Sequence, residues 1–195
     1  QDIISLCAQA GRPNMVYEFA STSKLTFPGA GISVVASSEE NIAYWSKLAG
    51  VQSIPYDKIN QLRHVLYLKD KAHTLEIMKG HAAILQPKFH MVLKMLRKEL
   101  TNKGIAHWHH PVGGYFVCVA AMPGTAKRTL ELCKQLGVTL TPAGATYPYG
   151  IDPDDSMIRI APSYPPIEEL EEAMEVFCVC IRLAALEKHL DETLI

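Results

Sequence analysis

Phe89, Val92, Leu93, Leu96 and Leu100 recur at i, i+3, i+4, i+7 and i+11, which sets them on one side of a helix near 88–103. Pro87 fits the first turn of that helix, and Gly104 ends it. A second stripe, Leu170, Met174, Phe177, Cys178, Ile181 and Ala185, marks a last helix after Pro165 and Pro166. Glu168 and Glu169 stand in its first turn, where the helix dipole favours acids. Between the stripes, "GGYFVCVAA" (113–121) and "SMIRIAPS" (156–163) read as strands. In the latter, Ile158 and Ile160 take one face and Arg159 the other. "GTAKRTLELCKQLG" (124–137) reads as a capped helix closed by Gly137, and "VTLTPAG" as a short extended piece. From about residue 105 onward the order is strand–helix–strand–strand–helix, a small α+β unit.

The first part of the chain has another pattern. "NMVYEFAS" (14–21) is β-branched and aromatic and reads as a strand. "GISVVAS" (31–37) is a short continuous apolar run, consistent with a strand buried on both faces. The link "TSKLTFPG" carries turn signals in Pro28 and Gly29. A strand pair with Lys24 at its connection is the simplest arrangement. "SSEENIAYWSKLAG" (37–50) has two candidate N-caps and acids in its first turn, so it reads as a helix. Residues 56–80 read as helical, with Gly80 as an interruption. The division is then an incomplete sheet-containing piece over 1–80 and a small α+β domain over 81–195, joined through the helix near 88–103.

Apolar residues make up 48% of the 195 residues, enough for a substantial core. The net charge of −1 leaves no large positive field to hold nucleic acid or an anionic membrane. The five cysteines, an odd number without CxxC or zinc spacing, fit a reduced, cytoplasmic chain better than a disulfide scaffold. The longest apolar stretch, "VFCVCIRLAAL", is too short to span a bilayer. The sequence opens at Gln1, in what reads as mid-domain, without a signal-peptide pattern; the expectation is a fragment of a longer protein.

Lys24 lies in a bed of hydroxyls and glycines between two strand-like runs. A lysine so placed is expected to be partly desolvated, which favours its neutral amine. A neutral amine is a nucleophile able to form a Schiff base with an aldehyde. Ser21, Thr22, Ser23 and Thr26 add hydroxyls suited to a phosphate or phenolate oxygen. Arg159, opposite two isoleucines, is either a rim residue or an anion grip, since a guanidinium binds a carboxylate through two parallel hydrogen bonds. His107, His109 and His110 in "HWHH" have no other ligand in register, so they read as a loop or strand entry, with no metal assigned. His64, His73, His81 and His90 read as surface or satisfied core residues. "TPAGATYPYGIDPDD" (141–155) is a turn-rich loop, either an ordinary surface loop or the rim of a substrate entrance.

"STSKLTFPGAG" (21–31) resembles the lysine segment of the fold type I, class I/II pyridoxal-phosphate aminotransferases. "HHPVGGYFV" (109–117) resembles that family's GG-aromatic strand in the small domain. "DSMIRIAPSYPP" (155–166) resembles its late strand, whose arginine grips the substrate α-carboxylate. "SKLTFPGAG" and the tail "YPPIEELEEAMEVFCVCIRLAALEK" are similar to the aspartate aminotransferase-like branch grouped with MocR-like aminotransferases. The order of these segments agrees along nearly the whole chain.

The resemblance implies an α/β fold type I fragment: the end of the large-domain sheet followed by the α+β C-terminal small domain. It implies pyridoxal 5′-phosphate as cofactor and Lys24 as the Schiff-base lysine and proton carrier. Ser21, Ser23 and Thr26 then become cofactor-binding candidates, and Arg159 the substrate-carboxylate grip. It implies transfer of an amino group from an amino acid, aspartate or a similar one, to a 2-oxo acid by a homodimer. The rivals are a ligand-sensing domain of a MocR-type regulator and a lyase or decarboxylase of the same fold. Two departures stand out. Ile32 occupies the position where many class I members have an arginine for the cofactor phosphate. The family's partners for the pyridine nitrogen and phenolate, and its phosphate cup, lie upstream of any segment matched here, so these residues alone are expected to hold the cofactor poorly and to be inactive.

Overall fold

In the computed structural model, which describes residues 2–193, the chain divides into two units, residues 1–80 and 81–195. The first begins with α1 (Ile3–Gln9), whose N-terminal N–H groups are capped by the Asp2 carboxylate. A 3₁₀ turn (Pro13–Met15) leads into β1 (Glu18–Ser21), which pairs antiparallel with β2 (Ser33–Ala36). The register sets Ser21 opposite Ser33 and Phe19 opposite Val35. The strand pair expected from the sequence is therefore present, with Lys24 in its connection. β2, however, is not buried on both faces: Ser33 and Val34 are exposed and Val35 and Ala36 half-buried. The hairpin is a two-stranded sheet, and no third strand pairs with it among the described residues.

α2 (Glu39–Gln52) starts at Ser38, whose Oγ accepts from Asn41 N at 3.2 Å. Ser37, the other candidate cap, donates to the Val16 carbonyl and so ties the helix entry back to the segment before β1. Tyr17, Phe19 and Trp45 form an aromatic cluster with centroids 5.6–6.4 Å apart. α3 (Lys58–Leu68) is capped by Asp57, which accepts from Asn60 N at 2.8 Å.

α4 (Lys71–Leu100) corrects two expectations: Gly80 does not interrupt it, and Pro87 lies in its interior rather than its first turn. An interior proline removes one helical hydrogen bond and costs about 3 kcal/mol. The helix continues past it because Val92, Leu93, Met95, Leu96 and Leu100 are all buried on the far side, and that burial outweighs one lost bond.

In the second unit β3 (Ala106–Trp108), β4 (Val117–Ala121) and β5 (Met157–Ile160) form an antiparallel sheet in that order. α5 (Ala126–Gln135) lies between β4 and β5 in sequence, and α6 (Ile167–Thr193) follows β5. The order is thus strand–strand–helix–strand–helix. "VTLTPAG" forms no strand, and His107 of "HWHH" lies within β3. Val117, Val119, Ile158 and Ile160 point into one core with Leu96, Leu100, Met174, Phe177 and Ile181. Lys88 supports the turn into α6 by donating to the carbonyls of Ser163 (2.8 Å) and Pro165 (2.6 Å).

The cysteines behave as small apolar residues: Cys133, Cys178 and Cys180 are buried and unbridged. Burial pushes the Cys133 and Cys178 thiols up to about 12, with Cys180 adding to the effect at Cys133. Among the described residues no helix is long and apolar enough to cross a membrane.

Phe177 is fully buried at the centre of this core. Phe177→Ala is expected to lower unfolding stability by about 3–5 kcal/mol, and Ile158→Val by about 1 kcal/mol. Urea midpoints in parallel titrations check both values.

Candidate active site

The Lys24 segment is a closed loop. Thr22 N donates to the Ile32 carbonyl (2.9 Å), and Thr22 Oγ1 accepts from Ile32 N (3.0 Å), so both groups of Thr22 tie the two ends together. Inside it, Leu25 N and Thr26 N both donate to the Thr22 carbonyl at 2.9 and 3.0 Å, one tight turn with Lys24 in the middle. Gly31 passes so close to Ser23 that a Cβ there would stand 3.3 Å from its backbone nitrogen. Gly29, at φ +74°, takes a conformation that costs glycine little.

Lys24 is exposed on this turn, which corrects the expectation of partial burial. The residues flanking it form a tight turn, and turns carry their side chains outward. Ser21 and Ser23 are exposed beside it, with their hydroxyls 3.1 Å apart. Thr26 differs from them. Its hydroxyl stands 2.8 Å from His64 Nε2 and 3.0 Å from Thr22 Oγ1, so it is committed to the interior of the loop.

His64, expected to be a surface or satisfied core residue, is a satisfied core residue beneath the Lys24 loop. It lies on α3, is 1% exposed, and reaches both Thr26 and Thr22 (3.1 Å) through Nε2. The sequence carried a weak signal for it, a histidine on a helix between apolar positions. Its Nε2 partners Thr22 and Thr26, distant in sequence, could not be read from that.

Arg159 occupies the central part of β5, opposite Cys118 on β4. Ile158 and Ile160 are buried at 1% and 2%, so Arg159 takes the other face. Its guanidinium lies over the Phe116 ring, 4.4 Å from the centroid, a cation–π contact. Its Nε is buried without a hydrogen-bond partner among the described residues. A buried donor left unmatched costs about 1–3 kcal/mol, so this atom is suited to an incoming acceptor. Phe116 comes from the "GGYFV" run, and its contact with Arg159 unites two motifs that the sequence left separate.

The loop before β5 is held by two aspartates. Asp152 accepts from the N–H groups of Asp154 (3.1 Å), Ser156 (2.8 Å) and Met157 (2.8 Å). Partial burial pushes the Asp152 carboxyl up, but the N–H groups of Met157, Ser156 and Asp154 outweigh this and hold it below the usual carboxylate range. Asp155 accepts from Lys127 N (3.1 Å), while its carbonyl accepts from Thr125 N and Ala126 N at 3.1 and 2.9 Å. The cap of α5 is therefore supplied from across the fold. Thr125, at the N-cap position itself, makes no side-chain cap and donates its hydroxyl to the Met122 carbonyl.

Lys24, Ser21, Ser23 and Thr26 share one turn of the first unit, and Arg159 belongs to the second. Among the described residues no group of three or more His, Cys, Asp or Glu side chains is placed to hold a metal ion.

This arrangement of small sheets and helices is the fold of aminotransferases. Over 95% of its length the chain superposes on the α-aminoadipate aminotransferase LysN of Thermus thermophilus, with a TM-score of 0.76, 17% identity and 46% of that chain covered. A solved aspartate transaminase of Corynebacterium glutamicum gives a TM-score of 0.90 at 45% identity, over 96% of this chain and 44% of that one. The family profile described as "Aspartate amino-transferase" matches residues 1–193. A curated aspartate aminotransferase of Corynebacterium glutamicum is 45% identical over 188 residues, 96% of this chain and 44% of that protein. The chain belongs to the aspartate aminotransferase family. It spans less than half the length of these relatives, and the family implies pyridoxal phosphate as cofactor.

The depressed Asp152 carboxyl gives a pH prediction. A group held more acidic in the fold stabilises it above the ordinary carboxylate pKa, and that contribution fades as pH falls through the folded value. Asp152→Asn is expected to lose about 1 kcal/mol at pH 7, with the gap from the unsubstituted protein closing below about pH 4. Urea titrations at the two pH values check it.

Proposed function

We propose that this chain is the C-terminal part of a pyridoxal-phosphate-dependent aminotransferase that moves an amino group from aspartate or a similar amino acid to a 2-oxo acid. The observation that carries this reading is 45% identity to an aspartate aminotransferase over 96% of the chain. In the same reading, residues 1–80 close the large cofactor-binding domain, 81–195 form the small domain, and the protein works as a cytoplasmic homodimer.

The residues of the loop suit the cofactor. Lys24 is accessible on a rigid turn, and the adjacent Ser21 and Ser23 hydroxyls are free of the interior network that occupies Thr26. Pyridoxal phosphate, when bound, supplies the electron sink for ionising the Cα–H bond. Lys24 would supply the amine that holds it and the base that carries the Cα proton. Ser21 and Ser23 would offer hydroxyls to its phosphate. Arg159 receives the substrate α-carboxylate, for which its buried Nε has an unmatched donor, and so fixes the direction of the Cα–H bond.

Two variants of the full-length protein test the assignment. With pyridoxal phosphate it should show a visible absorption band and turn over aspartate with 2-oxoglutarate, and Lys24→Ala should abolish both. Equal bands in the two proteins would remove Lys24 from the role. Arg159→Lys keeps the charge but loses the planar fork. It should raise KM for the amino acid about tenfold or more, measured by steady-state kinetics; an unchanged KM removes Arg159 from substrate binding.

A further inference from the structure

Among the described residues of the first unit, one side chain is buried below a tenth of its surface, and it is His64. Apolar residues ordinarily take such positions, while a buried polar ring must find partners for both nitrogens. His64 finds them in one direction on each side. Nδ1 stands 2.8 Å from the Asn60 carbonyl, which can only accept, so Nδ1 carries a hydrogen. In the neutral ring Nε2 is then the acceptor, and the hydroxyls of Thr26 and Thr22 stand 2.8 and 3.1 Å from it. The two hydroxyls are themselves 3.0 Å apart. One consistent path runs through Thr22: Ile32 N–H and Thr26 O–H to Thr22 Oγ1, Thr22 O–H to His64 Nε2, and His64 Nδ1–H to the Asn60 carbonyl.

The residues on this path bracket the lysine. Thr22 and Thr26 stand two positions before and two after Lys24, so the single imidazole grips both ends of its turn. The pedestal is itself held. Asn60 Nδ2 donates to the Ala30 carbonyl at 2.8 Å, which pins the far side of the loop to α3. The Phe27 ring meets the His64 ring edge-on at 5.4 Å, and Tyr67 and Arg63 also pack on Phe27. With its neighbours' hydroxyls turned inward, the turn leaves the Lys24 side chain pointing outward from a fixed base.

We propose that His64 is a positioning residue for Lys24: through the Thr22 and Thr26 hydroxyls it sets the direction from which the lysine amine meets the cofactor and the substrate Cα. The inference deepens the aminotransferase reading and rests on it. Reactions that depend on a fixed approach lose about 10- to 100-fold in rate when the reacting group shifts by about an ångström. A positioning role therefore predicts loss in kcat and in attachment at Lys24, with little change in substrate KM.

The test uses the full-length protein with pyridoxal phosphate and three variants. His64→Leu removes both ring nitrogens, His64→Gln keeps a polar amide, and Thr26→Val removes one hydroxyl at nearly constant shape. The readouts are the thermal midpoint, the visible band on titration with pyridoxal phosphate, the pyridoxyl adduct on Lys24 after borohydride reduction, and kcat and KM. His64→Leu is expected to lower kcat and the rate of adduct formation about tenfold or more at a temperature where it remains folded. The band should be shifted or weakened and KM near the unsubstituted value, and His64→Gln should recover part of the loss. A folded His64→Leu with unchanged band, adduct and kcat overturns the inference. If His64→Leu does not fold, Thr26→Val decides by the same measurements: a lowered kcat at unchanged KM supports the role, and values equal to the unsubstituted protein overturn it. Absence of any Lys24 adduct in the unsubstituted protein is a different failure, one that removes the aminotransferase reading itself and this inference with it.

Discussion

The period of two along β5 is the constraint on which the second unit turns. Ile158 and Ile160 are taken into the core by α4 and α6, at 1% and 2% exposure. A strand cannot bury two alternate side chains without sending the one between them to the other face. Arg159 is therefore aimed by hydrophobic burial, and Phe116 on the neighbouring segment receives its guanidinium. The direction of a polar group here is a consequence of apolar packing. This is how a fold can hold an unmatched donor such as its Nε: the cost of that donor is small beside the apolar area that fixes the strand.

The first unit, in a chain that spans less than half the length of its relatives, shows mostly polar ordering contacts around its lysine loop. Among the described residues its strands are exposed or half-buried, α1 to α3 bury no apolar side chain, and the one buried ring is polar. An isolated two-stranded hairpin is at best marginal in water. What gives the Lys24 loop a definite shape is a set of directed bonds: the Thr22–Ile32 closure, the two N–H groups on the Thr22 carbonyl, and the His64–Thr22–Thr26 triangle. Hydrogen bonds fix direction better than they supply net stability. That suits the role proposed for this segment, the presentation of Lys24.

Much of this was legible because it depends on local periodicity. The stripes of α4 and α6, the alternation in β5 and the turn signals around Lys24 all belong to single elements, and each was found near its place. The errors came from longer range. Pro87 read as a helix start because its cost is local, while the compensation, burial of Val92 to Leu100, comes from packing against other elements. Burial of β2 was inferred from its apolar run, but burial depends on neighbours that a strand does not specify. The cap of α5 comes from Asp155, and the Nε2 partners of His64 from the β1–β2 connection; neither spacing carries a signal in sequence. The motifs resembling a lysine segment and an arginine strand were legible as motifs, whereas the Phe116 contact that supports the second was not.

The departure at Ile32 bears on how a phosphate could be held beside Lys24. Its backbone closes the loop against Thr22, with N–H and C=O both used, so the position serves as a structural latch. Thr26 is likewise withdrawn, because its hydroxyl completes the partners of a buried ring. Ser21 and Ser23 are left on the outer side of the turn. Hydroxyls donate hydrogen bonds that orient a phosphate, but they carry no charge to balance it. In the proposed cofactor site, orientation and neutralisation would thus be separate tasks: the serines would perform the first, and the second would fall to cationic groups outside the 21–32 loop or to helix N-termini.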